Sequence, residues 1–189
     1  MLISPVRICA IFILLSTIFL VMERSAAGLS ASSYIKVDQS DAIAQNTVET
    51  DSSVTIFTPK GSRVVAHFQV AIANTPQKQQ LGLMHVHHLK DTVGMLFIFT
   101  PAKPASFWMK NTVIPLDIIF IDENNIIFKI ESMAQPLSTR IISSIKPTHA
   151  VLEIGGGLAY KMGITRGQLV ESSFLPLPPL KKVNNGHYF

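Results

Sequence analysis

Between Val54 and Phe174 no apolar stretch runs far before a turn-forming residue ends it, and this punctuation limits the fold more than any other feature. Strand-forming stretches recur at 54–57, 64–72, 95–100, 106–110, 116–122, 126–133, 149–154 and 168–174. Between them stand Pro59-Lys60-Gly61-Ser62, Pro101-Ala102-Lys103-Pro104, Asp122-Glu123-Asn124-Asn125 and Gly155-Gly156-Gly157. Proline and glycine interrupt a ladder, and asparagine tolerates the positive φ of tight turns. In 64–72, Val64, Ala66, Phe68, Val70 and Ile72 fall on one face with His67 and Gln69 on the other, the alternation of a half-buried strand. Thr75-Pro76 is a helix start, with Thr75 as N-cap and Gly82 as the stop. A second helical turn is expected at 158–162, ended by Gly163. Seven to eight short strands with one or two short helices predict a mainly β domain, a sandwich or a small barrel.

The 189 residues leave room for one such domain and its tails. Charged residues make up 15% of the chain, low against a typical ~25%, and part of the deficit lies at the amino end. There Arg7 precedes the apolar run 8–22, then Glu23-Arg24 and the small residues Ser25-Ala26-Ala27. The run is short of the roughly 20 residues a membrane span needs, so residues 1–27 are expected to be a signal peptide cleaved after Ala27. The protein would then be exported, periplasmic or secreted. The alternative is an uncleaved membrane anchor over residues 8–22, the membrane being met only through that segment. Cys9, the single cysteine, precedes most of the apolar run and would leave with the signal, removing disulfides and thiolate metal sites from the mature chain. Residues 28–53 have too little apolar surface to offset their ordering entropy and are read as a tether. The Pro-rich tail, 175–189, cannot continue a ladder. A net charge of +4 without a basic stripe argues against nucleic acid as a partner.

The chemistry gathers around Trp108, the single tryptophan, with Lys110, Asn111 and Asp117 set among apolar neighbours. Asp117 occupies a position where an apolar side chain is expected, and a buried carboxylate must be paired, capped or wet. If 106–110 and 116–122 formed a hairpin, Lys110 would pair with Asp117 near its base. Asp117 could equally cap the 111–115 loop through backbone N–H groups. In the functional alternative, Lys110, Asn111 and Asp117 form the polar floor of a ligand-binding pocket and Trp108 its wall, unless Trp108 is simply core. His85 and His87 would share a face of an extended segment and could begin a metal site, with His67, His149 or Glu153 as third ligand. Nothing fixes that third ligand at a standard spacing, so neither a metal nor a cofactor is expected. Gly155-Gly156-Gly157 lies outside the phosphate-loop frame and no nucleophile elbow exists.

Gly82-Leu83-Met84, Gly94-Met95-Leu96-Phe97-Ile98-Phe99, the Phe107-Trp108-Met109-Lys110-Asn111-Thr112 run with Pro115-Leu116-Asp117 after it, Val151-Leu152-Glu153-Ile154, and Gly163-Ile164 with Gly167 stand in a familiar order. Over about 64–170 the chain resembles the domain of unknown function 192 family, small conserved proteins often exported from bacteria. The resemblance implies one compact jelly-roll-like β domain, over 54–174 here, and implies no activity. The family usually carries Gly-Asp where this chain has Gly167-Gln168, which speaks against an essential catalytic carboxylate there. The His85-Val86-His87-His88 run is also not a family feature. The leading expectation is an exported, non-catalytic β domain that binds a small ligand or a cell-envelope protein near Trp108 and Asp117. The rival is a hydrolase using Asp117 as base or a histidine-bound metal.

Overall fold

The computed structural model describes residues 48–176. The expected signal segment, most of the tether and most of the tail lie outside them. Seven strands form one mixed sheet: β1 (Ser52–Phe57), β2 (Val64–Ala73), β3 (Val93–Phe107), β4 (Leu116–Ile121), β5 (Ile127–Ala134), β6 (Ile142–Gly155) and β7 (Leu169–Glu171). Two short helices, α1 (Pro76–Leu81) and α2 (Leu158–Met162), complete the described part. The order across the sheet is β5-β4-β6-β3-β2-β1-β7. The sheet curls until its edges meet: the Ile127 N–H donates to the Gln168 carbonyl at 3.0 Å and the Val170 N–H to the Asn125 carbonyl at 2.8 Å. Full pairing of edges is the barrel's way of leaving no open ladder. The domain is therefore mainly β and barrel-like, one curled sheet in place of two stacked ones.

Every strand pair is antiparallel except β2 with β3, which run parallel and need a crossover; α1 lies on it. Thr75 caps α1, its hydroxyl accepting from the Lys78 N–H at 3.3 Å, Pro76 takes the first helical position and Gly82 ends the helix. The Asp122–Asn125 turn joins β4 to β5 as a hairpin, with Asn125 at φ 59°.

Two findings differ from the sequence expectation. The stretches 95–100 and 106–110 are not separate strands: β3 runs on through Pro101 and Pro104, and its pairing with β6 slips between Ile98 and Lys103. That irregularity is where a sheet tolerates residues lacking an N–H. Nor do the Trp108 region and β4 form a hairpin, because β6 is inserted between β3 and β4 and pairs with both.

The sheet carries an apolar layer on each face. Inside the curl, Ile56, Phe68, Val70, Leu96, Ile119, Leu152 and Ile154 pack together. Outside it, Met95, Phe97, Ile118, Phe120 and Val151 are covered by Leu83, Val86 and Met109 from the connecting segments. Phe107 bridges Phe97 and Phe120 edge to face, at 5.1 and 5.9 Å between centroids. With both faces covered, β4 is buried at every position, which is why it reads as an unbroken apolar run with one acid in it.

Candidate functional site

Alternation along β4 and β6 sorts their two acids to opposite faces. Asp117 shares its side with Ile119, an inner-layer residue, whereas Glu153 shares its side with Val151, an outer-layer one. They are near neighbours in the ladder, Asp117 opposite Ile154 and Glu153 opposite Ile118. Both are buried.

Asp117 is fully satisfied. Its Oδ1 accepts from the Met133 N–H at 2.8 Å and the Gly157 N–H at 2.9 Å, and its Oδ2 accepts from the Ala159 N–H at 2.8 Å. The N-cap of α2 is Gly157, left-handed at φ 85° and without a side chain to cap with. Asp117 supplies that cap from across the sheet and ties α2, β4 and the end of β5 together. Its partners are thus backbone groups at the end of β5 and just after β6, neither Lys110 nor the 111–115 loop.

Trp108, Lys110 and Asn111 are brought together on the loop that follows β3. Lys110 Nζ lies 5.3 Å from the Trp108 ring, which is 44% exposed. The loop is tethered on both sides: the His85 N–H donates to the Asn111 carbonyl, and the Met109 N–H to the Ser138 carbonyl, each at 2.9 Å. Asn111 itself takes φ 59° and its amide points to Met84 Sδ at 3.9 Å. Of the four residues singled out from sequence, Trp108 lines a cleft; Lys110 contacts the Trp108 ring, Asn111 braces the loop, and Lys110, Asn111 and Asp117 are not among the lining residues.

That cleft, of about 410 Å³, lies on the outer face between α1 with the turn after it and the irregular half of β3. Phe97, Phe99, Phe107 and Trp108 give it aromatic walls, and Glu153 lies in it. Gln79 fastens the helix side, its Nε2 donating to the Ile98 carbonyl at 2.7 Å and the Ala73 carbonyl at 3.3 Å. Gly82 allows the close approach: at φ +50°, a Cβ there would stand 3.3 Å from the Phe97 ring and 4.0 Å from Glu153 Oε2. Glu153 is 5% exposed, and among the described residues its carboxyl makes no hydrogen bond or ion pair. Burial pushes its pKa from 4.5 up to about 8, since removal from water penalises the charged form. At neutral pH it is mostly the neutral acid, able both to donate and to accept.

The histidine cluster does not assemble. The turn after α1 places His85 at φ 63°, so the segment is not extended there and the premise of a shared face with His87 fails. His85 and His87 are both exposed. Among the described residues no three His, Cys, Asp or Glu side chains come together in a way that could hold a metal ion. Gln168 is structural: its Oε1 accepts from the Thr165 N–H at 3.0 Å and its Nε2 donates to the Gly163 carbonyl at 2.9 Å, closing the turn before β7.

The sequence reading missed Glu153 as anything but a remote metal ligand. The signal was present in 149–154, where an acid sits in a run of buried strand residues just as Asp117 does.

Comparison with known proteins agrees with this architecture. The profile of DUF192, described as an uncharacterized ACR, matches residues 55–172. A crystal structure of a candidate transcription regulator from Sinorhizobium meliloti 1021 is 34% identical, covering 68% of this chain and 99% of that one, with a TM-score of 0.63. A protein of unknown function from Novosphingobium aromaticivorans DSM 12444 is 36% identical, covering 74% and 94%, with a TM-score of 0.60. Among curated proteins, none matches.

Proposed function

The chain belongs to the DUF192 family, and we propose that this member is an exported, non-catalytic domain that binds a small ligand in the cleft between α1 and β3. The observation that carries this reading is Glu153, a buried residue that lines the cleft and whose carboxyl has no hydrogen-bond or ion-pair partner among the described residues. An unmet polar group in low dielectric is costly, and a ligand that completes it is one of the reasons a protein retains it. The surroundings suit this use: a concavity of ligand-binding size with aromatic walls and polar side chains set among them. Trp108 at the rim offers a ring for stacking. Export rests on the signal-like segment 1–27.

A hydrolase is the second reading, and Glu153 in place of Asp117 favours it, because an acid with a raised pKa can donate a proton at neutral pH. Against it, no second carboxylate among the described residues lines the cleft to act as base or nucleophile.

Mass spectrometry of the protein purified from its native compartment tests both parts. The expected result is a chain beginning after Ala27, with a small molecule carried by the wild type and lost from Glu153→Gln. A chain retaining residues 1–27 would remove export in favour of the anchor. Equal retention of the molecule by Glu153→Gln would remove the cleft from the reading.

A further inference from the structure

Resting on the reading of the cleft as a binding site, we infer that its ligand is a small organic cation bearing N–H donors, of the amidinium, guanidinium or ammonium class, which pairs with Glu153. Glu153 is the acid of the cleft, and the neutral polar side chains around it, Gln80, Ser106 and Thr112 among them, can each donate or accept. Both amide donations of Gln79 Nε2 go to backbone carbonyls, of Ala73 and Ile98, so that amide brings no free donor. Among the described residues two ionisable side chains line the cleft, Glu153 from β6 and Lys103 from β3; α1, the turn after it and the Trp108 loop contribute neutral ones, Gln79, Gln80 and Thr112 among them. Lys103 is exposed at the mouth, its Nζ 5.5 Å from the Phe99 ring. The aromatic walls thus already hold one cation at the rim, and a second at the floor would gain both ring faces and a carboxylate. An anion would meet the ring faces and the acid itself, with neutral donors such as the buried Thr112 hydroxyl, and Lys103 at the mouth, to receive it.

Binding has a definite proton balance. The ligand enters already protonated, the Glu153 carboxyl loses its proton to solvent, and the ion pair remains in the cleft. One proton is released per ligand bound wherever the free protein holds the acid neutral. Affinity must therefore rise with pH until the free acid is itself ionised.

Benzamidine and benzamide make the test, because they share a shape and differ in charge. Each is titrated into the purified full chain while the fluorescence of Trp108, its one tryptophan, is followed. Benzamidine is expected to bind at least about tenfold more tightly than benzamide near neutral pH, with its affinity rising up to about tenfold per pH unit between about pH 6 and 7.5. In Glu153→Gln, benzamide binding should persist while the preference for benzamidine and its pH dependence vanish. Equal binding of the two probes, or an unchanged preference in Glu153→Gln, overturns the cation assignment and leaves the cleft as a binding site. Saturable binding of neither probe overturns both.

Discussion

Asp117 and Glu153 sit one residue out of step on paired strands, equally buried, yet opposite in their chemistry. One accepts three backbone N–H groups and joins three elements. The other faces the cleft, and among the described residues its carboxyl makes no hydrogen bond or ion pair. The difference comes from what each face of the sheet meets. The inner side near Asp117 receives the start of α2, whose first N–H groups have no intrahelical partners and want an acceptor. The outer side near Glu153 receives Gly82, Phe97 and the aromatic walls, none of which donates a hydrogen bond to it. Burial alone therefore does not mark an acid for function; the lack of a partner among the described residues is what makes Glu153, and not Asp117, the basis of the proposed site.

The largest effect expected is on the satisfied acid. Asp117→Ala strands three N–H groups, those of Met133, Gly157 and Ala159. Each unsatisfied buried donor costs roughly 1–3 kcal/mol, and partial relaxation toward water brings the total to about 3–5 kcal/mol. Denaturant unfolding should show that loss with the cleft chemistry unaffected. Asp117→Asn should fall by a smaller but still large amount, since its NH2 group faces donors. A variant that folds with wild-type stability would break the contrast, making Asp117 as dispensable to the framework as Glu153.

For the unpartnered acid the sign reverses. The folded pKa of about 8 lies above the ordinary 4.5, so between those values the folded chain binds a proton that the unfolded chain has lost. Stability therefore falls as pH rises through that window, and the loss is complete above about pH 8. Glu153→Gln has no charge to bury. It should match the wild type near pH 4 and exceed it by roughly 2–4 kcal/mol near pH 9. Unfolding curves at the two pH values check this, and a Glu153→Gln variant destabilised at both would mean that the carboxyl supports the fold. A residue whose replacement stabilises the domain is kept for something other than stability.

Much of this architecture is legible where the signals are local. Thr75-Pro76 and Gly82 delimit α1, Asn124-Asn125 mark the β4–β5 turn, and alternation from Ala66 to Val70 gives a half-buried strand. What is non-local is not. The insertion of β6 between β3 and β4 is set by long-range pairing, so a hairpin inferred from the closeness of 106–110 and 116–122 in sequence fails. The passage of β3 through Pro101 and Pro104 depends on a slip in the β6 ladder that no propensity announces. The two acids show the same limit: in each case an acid interrupts a buried run, but only the fold decides that α2 arrives over Asp117 and not over Glu153. The Trp108 loop is the intermediate case, since Trp108 lines the cleft with Lys110 against its ring, although Lys110, Asn111 and Asp117 do not line it.

Trp108 supplies the smallest expected effect and the sharpest control. Its ring is 44% exposed and its recorded ring contact is with Lys110 Nζ, at 5.3 Å. Such an exposed cation–π pair is worth about 0.5–1 kcal/mol, and the half-buried ring adds a comparable amount of apolar burial. Trp108→Ala should therefore lower stability by about 1–2 kcal/mol, well short of Asp117→Ala. The neighbouring Met109, buried and bonded through its N–H to Ser138, holds the loop in either variant. If removing the indole instead destabilised the domain as much as removing the Asp117 carboxylate, Trp108 would belong to the framework. The cleft would then have a structural wall where a recognition surface is expected, and the division between a face that builds the domain and a face left open for a ligand would fail at its most exposed point.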